Sequence, residues 1–235
     1  MTVEEVMSEL ESLGSEQIRS IFKNHGAPDL MFGVKVGDMK KIQKKIKKDH
    51  DLSLKLFNTG NADAMYFAGL IADEHQISTD DLQHWAEHAS WYMVSEYTVP
   101  WIAAESPHGL KMGLKWIDSS DEKIASTGWS TLSSWISIRP DTELDLDLFK
   151  ALMERVQANI HQVPNRVRYT MNGFVIAVGA YIEALNPMAI ETAKTIGKVS
   201  VNLGGTACKV PFAPDYIRKV MDKGYVGKKR KMARC

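Results

Sequence analysis

The sequence predicts an all-α fold, one domain over residues 1–235 built as a helical-repeat solenoid. Three observations predict it. Apolar residues recur at helical spacing along nearly all of the 235 residues. The turn signals between those runs are short. The helices also follow in pairs of about 30–40 residues with no long insertion, which is the rhythm of repeats that stack on their neighbours and leave one concave face free.

Each element has its own signal. Val3, Val6, Met7 and Leu10 form one face of a helix over 3–13, which stops at Gly14. Ser15 caps a second helix, with Ile18, Ile21 and Phe22 on one face and Gly26 at its end. Pro28 and Gly33 make 27–36 a loop. Over 37–49, Met39, Ile42 and Ile46 lie on one side of a helix and the lysines on the other. Further helices are expected at 51–58, 62–74, 79–89, 91–104, 108–118, 121–138, 146–160, 166–185 and 187–196. Turns at Asn58-Thr59-Gly60, Ser106-Pro107, Asp118-Ser119-Ser120, Arg139-Pro140 and Asn186-Pro187 separate several of them. The pairing is that of HEAT-type repeats; a compact, irregular helical domain is the alternative. One segment breaks the pattern: Val199, Val201 and Leu203 alternate with polar residues and Gly204-Gly205 follows, which predicts one short β-hairpin near 199–210.

Charge is segregated along a chain whose formal net charge is zero. Residues 35–48 hold seven Lys against one Asp, and residues 219–235 hold seven basic residues against one Asp. Two concentrated basic segments on a neutral protein present local positive potential, and the usual target of that is a phosphate backbone. The last group, Lys228-Lys229-Arg230-Lys231 and Arg234, reads as a mobile basic arm over 224–235. The N-terminus lacks the basic start and apolar run of a signal peptide, and no run approaches the length of a membrane span. A cytoplasmic protein, a monomer with no membrane partner, is the expectation; in a bacterium it would be nucleoid-associated.

No metal site is expected. His84 and His88 stand four apart, but Trp85 occupies the position where a metalloprotease helix needs Glu. No phosphate-binding glycine loop, dinucleotide fingerprint or nucleophile elbow occurs, so no cofactor is expected. Residues 90–101 are the richest in rings, with Trp91, Tyr92, Tyr97 and Trp101 around Glu96. A carboxylate among rings is either a cleft facing a developing cation or a core helix with its Glu at the wet edge. Arg166 and Arg168 begin the long helix 166–185, and Lys209 sits on the hairpin. If these share a face with Lys35, Lys40, Lys41, Lys44, Lys45 and Lys48 and with the arm, they form one phosphate-binding track.

Two stretches resemble the bacterial DNA alkylation repair family, whose members are all-helical proteins of the HEAT-like-repeat DNA glycosylase superfamily. The first is Gly33-Val34-Lys35-Val36-Gly37-Asp38-Met39-Lys40-Lys41-Ile42, followed by Leu56-Phe57 and the Ala-rich helix over 62–72. The second runs from Ser90-Trp91 to Val99-Pro100 and matches the family's Ser-Trp-Trp-Asp-x-Val-Asp-x-x-x-Pro motif in length. The resemblance covers most of 30–190. It implies a concave face that holds duplex DNA and, in active members, removal of cationic alkylpurines by two tryptophans, an aspartate that stabilises the oxocarbenium-like transition state and an arginine that binds phosphate. Carried onto this sequence, the aspartate falls on Glu96 and the motif tryptophans on Trp91 and Tyr92. The later tryptophan falls on Phe174, and the arginine near Thr127. An added methylene displaces the carboxylate by about 1 Å, which can cost about 100-fold in rate. The resemblance therefore implies a DNA-binding member, gripping damaged or branched duplex through backbone contacts and without base excision. The alternatives are an active glycosylase using Glu96 and a helical-repeat protein-interaction module.

Overall fold

The computed structural model describes residues 1–234; Cys235, read above with the basic arm, lies outside them. Thirteen α-helices occur among the described residues: α1 (Val3–Ser12), α2 (Glu16–Asn24), α3 (Val36–Ile46), α4 (His50–Phe57), α5 (Ala62–Ile71), α6 (Thr79–His88), α7 (Val99–Glu105), α8 (Gly109–Trp116), α9 (Glu122–Ile138), α10 (Leu146–Asn159), α11 (Asn165–Tyr181), α12 (Asn186–Ile196) and α13 (Ala213–Asp222). They stack as HEAT-like repeats. The inner layer is α5, α7, α9 and α11, with α9 packed against both α7 and α11, while α4, α8 and α12 back α5, α9 and α11. No single helix is long and apolar enough to cross a membrane.

Starts and close approaches follow from local chemistry. Thr2, Asp49, Asn61, Ser78, Asp121 and Asp145 cap their helices with side-chain oxygens. At Gly128 an added Cβ would lie 2.6 Å from the Ile117 nitrogen, so only glycine lets α9 approach the end of α8 so closely. The Gly33-Val34 motif is structural. The buried Asp63 carboxylate of α5 accepts the backbone N–H groups of Phe32 (2.6 Å), Gly33 (2.9 Å) and Val34 (2.9 Å). Gly33 has φ 80° and no room for a side chain, a Cβ there meeting Ser15 O at 2.7 Å.

The structure corrects three expectations. The hairpin does not form: 199–212 is irregular, and no strand occurs among the described residues. The first turn of α11 takes the backbone bonds that a partner strand would have taken. Asn165 Nδ2 donates to Asn202 O (2.9 Å) and its Oδ1 accepts from Asn202 N (2.7 Å), while Arg168 Nη1 donates to Ser200 O (3.1 Å). A helix, α13, forms where none was expected, since its apolar face is narrow and buries only Ala213 and Ile217.

The basic arm, expected to be mobile, is instead a strap across the C-terminal ends of the inner helices. Gly227 N donates to Ala180 O (2.9 Å) and Arg230 N to Ser137 O (2.7 Å). Lys229 Nζ bonds the last carbonyls of α9 and α11, at Ile136 (3.1 Å) and Tyr181 (2.6 Å). Arg234 is buried; it bridges Glu105 and Glu74 and donates to Ala72 O (3.0 Å) at the end of α5. Helix C-termini leave carbonyls unsatisfied and carry partial negative charge, so cations placed there complete both accounts. The basic composition of 228–234 is in part this capping function.

Candidate nucleic-acid interface

Glu96 sits in a π-helical turn (Val94–Thr98) that leads into α7, and this turn replaces the first part of the continuous helix expected over 91–104. The turn rotates Glu96 inward, and 6% of the residue is exposed. Its carboxylate meets the guanidinium of Arg166, the second residue of α11, in a bidentate pair: Nε donates to Oε1 (2.7 Å) and Nη2 to Oε2. The Arg166 guanidinium lies between the rings of Tyr92 and Tyr169, each centroid 4.6 Å away. Its backbone N–H donates to Glu122 Oε1 at 2.6 Å.

Burial pushes the Glu96 carboxyl up, and Arg166 opposes this without cancelling it. Burial of the guanidinium lowers the Arg166 pKa, but the Glu96 carboxylate outweighs it and the net direction is up, so the arginine stays charged. Burial likewise raises the Tyr92, Tyr97 and Tyr169 phenols, which stay neutral. The arrangement is a buried ion pair: the carboxylate has its counter-charge within the protein.

Two cavities flank the pair. One, of about 540 Å³, has Trp91, Tyr92, Tyr97 and Tyr169 on its floor, with loops 23–26 and 202–208 as walls. The other, of about 450 Å³, reaches Glu96 past Ser90 and Glu122. Trp91 packs on Phe22 at 5.3 Å, and the Tyr92 hydroxyl bonds His25 Nδ1 at 3.2 Å.

The expected site residues separate. Glu96, Tyr92, Trp91 and Arg166 come together. Phe174 does not join them: it is fully buried against Trp129 (5.1 Å) and Phe149 (6.4 Å), a core residue of α11. Thr127, where the resemblance placed an arginine, is buried and donates its hydroxyl to Lys123 O at 2.8 Å. Arg168 holds Val163 O and Ser200 O and is a structural pin.

Among the lysines, the side chains of Lys35, Lys40 and Lys44 make no hydrogen bond or ion pair within the described residues. Lys41 pairs with Asp38, Lys45 with Glu9 and Lys48 with Glu74. Lys209 is exposed, beside Lys198 at the mouth of a separate apolar cavity. Lys228 covers the Tyr225 ring at 4.7 Å, Arg230 and Lys231 are exposed, and Lys229 is held under the strap by its carbonyls and Asp141 (2.7 Å). So α3 and the strap supply most of the open cations, and Arg166 and Arg168 supply none. Sequence reasoning missed that Arg166 is the partner of Glu96, because 70 residues separate them and only the stacking of α11 beside the π turn joins them. It also missed Tyr169, one helical turn after Arg166 on the same face. Among the described residues, no three His, Cys, Asp or Glu side chains group closely enough to hold a metal ion.

Comparison with known proteins agrees with this fold. The chain is similar over its whole length to a solved structure described as "A new family of proteins related to the HEAT-like repeat DNA glycosylases with affinity for branched DNA structures", with a TM-score of 0.92, 38% identity and 100% of both chains covered. It is 35% identical to protein Lin0241 of Listeria innocua over 229 residues, 95% of this chain and 99% of that one. It has the same identity and coverage with Lmo0209 of Listeria monocytogenes. Residues 6–201 match the family model described as DNA alkylation repair enzyme, and the chain therefore belongs to that family.

Proposed function

We propose that this protein binds branched duplex DNA through its phosphate backbone and does not excise bases. The observation that carries the second half is the buried Glu96–Arg166 pair. An excising carboxylate must face the sugar as positive charge develops there. Here that charge is already balanced by a guanidinium held between two rings, and freeing the carboxylate means breaking a buried ion pair, a cost of about 3–5 kcal/mol. Thr127 is buried and Phe174 lies in the core, so neither of those two family positions presents a group beside Glu96.

Binding rests on the family membership, on the branched-DNA affinity of the similar solved structure and on the open cations of α3 and the strap. Contacts of this kind read backbone and shape and need no base edges, which suits a branch point better than a sequence.

The test combines gel shift and base release on intact duplex, duplex carrying an alkylpurine and a branched junction, at several salt concentrations. Tightest binding to the junction, a steep loss with salt and no released base are expected. Lys35→Glu and Lys40→Glu should each flatten the salt slope by about one unit. Base release that disappears in Glu96→Gln would overturn the absence of excision, and no binding at low salt would overturn the DNA reading.

A further inference from the structure

A further cavity lies at the opposite edge of the inner layer from Glu96 and Arg166. Those two residues begin the α7 run and α11; this cavity opens where α3 ends and the strap crosses the ends of α5 and α7. Its volume is about 640 Å³, and Lys44, Lys47, Lys48, Arg139, Lys231 and Arg234 line it. Two carboxylates, Glu74 and Glu105, also line it, but both are already engaged, by Lys48 and Arg234 and by Arg234 respectively. Lys44, Lys47 and Lys231 have no ion-pair partner among the described residues. Arg139 Nε is buried without a hydrogen-bond acceptor. Positive charge is therefore gathered here beyond what the helix ends need.

The backbone gives independent support. Lys47 follows α3 with φ 66° and ψ −114°, and it is the one non-glycine residue with positive φ among the described residues. Glycine is the usual residue after a helix C-terminus, because a Cβ is strained there. The chain instead keeps a lysine in that conformation, at the rim of a cavity lined by six cationic side chains, and strain of this kind concentrates at ligand sites.

We propose that this cavity is a phosphate-binding site, taking two or three successive phosphate groups of an extended polyanion. Lys44, Lys47 and Lys231 would bind the phosphates as point charges. The site does not depend on the branched-DNA reading. A nucleic-acid strand leaving a branch and a free nucleoside triphosphate both present phosphates of this chemistry, and the test separates them.

The test uses inorganic tripolyphosphate on the full chain, by calorimetry and thermal shift, with sodium sulfate at equal ionic strength as reference. The wild-type protein should bind one equivalent saturably. Lys47→Gly is the informative variant: it should raise the melting temperature by about 2–4 °C through relief of strain, yet weaken tripolyphosphate binding about tenfold through loss of one charge-assisted contact. Lys44→Gln should weaken binding similarly, and Lys35→Gln, outside the cavity, should not. Absence of saturable binding, or equal weakening by Lys35→Gln, would overturn the proposal. Unchanged affinity in Lys47→Gly would do so too. Displacement by a duplex with a single-stranded flap in preference to a blunt duplex assigns the phosphates to a nucleic acid; preferential displacement by ATP assigns them to a free nucleotide. A junction gel shift that persists while tripolyphosphate fails separates loss of this site from loss of DNA binding.

Discussion

Replacing Arg166 by Met keeps the apolar stem and removes the counter-charge of Glu96. The carboxylate side chain is 2% exposed and the guanidinium 22%, so the charge left behind is the one that cannot reach water. Removal of one partner from a buried pair costs about 3–5 kcal/mol. In a chain of this length each kcal/mol lowers the melting temperature by about 2–4 °C, so a fall of about 6–20 °C is expected. Two cation–π contacts are lost as well, within the same range. Glu96→Gln alone leaves Arg166 with access to the flanking cavities, so its cost is smaller. The double variant Glu96→Gln/Arg166→Met removes both charges and should be more stable than Arg166→Met. The effect also has a pH signature. With Arg166 gone, burial and Glu122 both push Glu96 up, so its folded pKa lies further above the unfolded one. A folded state that binds the proton more tightly gains stability as pH falls into that window and loses it as pH rises through the folded pKa. Arg166→Met should therefore be nearer the wild-type protein in stability at acidic pH than at neutral pH. Urea melts of the four proteins at two pH values test this. A double variant no better than Arg166→Met, or a deficit that does not shrink in acid, would refute the ion-pair account.

Other outcomes follow from the same structure. Gly128→Ala drives a Cβ to 2.6 Å from the Ile117 nitrogen and should cost about 1–3 kcal/mol in denaturant melts. Phe174→Leu should lower stability by about 1–2 kcal/mol, with no change in DNA affinity of the folded protein, as suits a core residue; a selective loss of DNA binding would return it to the site. Arg234→Ala leaves Glu105 without its counter-charge and Glu74 with Lys48 alone, and should cost about 3 kcal/mol, with faster amide exchange over 228–234. Burial pushes the Glu74 carboxyl up, but Lys48 and Arg234 outweigh it and hold it below its ordinary range. The strap contact is then fully present above the ordinary glutamate pKa and is lost as pH falls through the lowered one, which exchange rates at acidic pH would show.

The helices were legible because their apolar stripes and caps are local. Eleven of the thirteen fall within a few residues of the ranges expected from periodicity; α7 starts at Val99, eight residues late, because the π turn takes the place of its first part, and α13 escaped because only two of its residues are buried. The alternation at 199–203 is genuine, but alternation names a half-buried extended segment without naming its partner; Asn165 and Arg168 took that role, and nothing near them in sequence announces it. The same limit governs the site. Trp91, Tyr92 and Glu96 are neighbours in the chain and were found together. Whether Glu96 is free or paired depends on a residue of α11, and composition is silent on that. The basic tail misled in a third way: lysine and arginine in a run read as solvated charge, yet Lys229 and Arg234 are spent on helix ends.

Solenoids whose repeats touch only their neighbours can fray or fold from either end. The strap alters that here. Lys229 reaches back to Ile136 and Arg234 to Ala72, across 93 and 162 residues of chain. Contacts of such long range are costly to close before the helices they tie are in place. Repeats that would otherwise unravel one at a time are joined at one edge, so early and late repeats should melt in a single transition. A chain cut after Gly224 should instead show separate transitions, the α5 repeat loosening first.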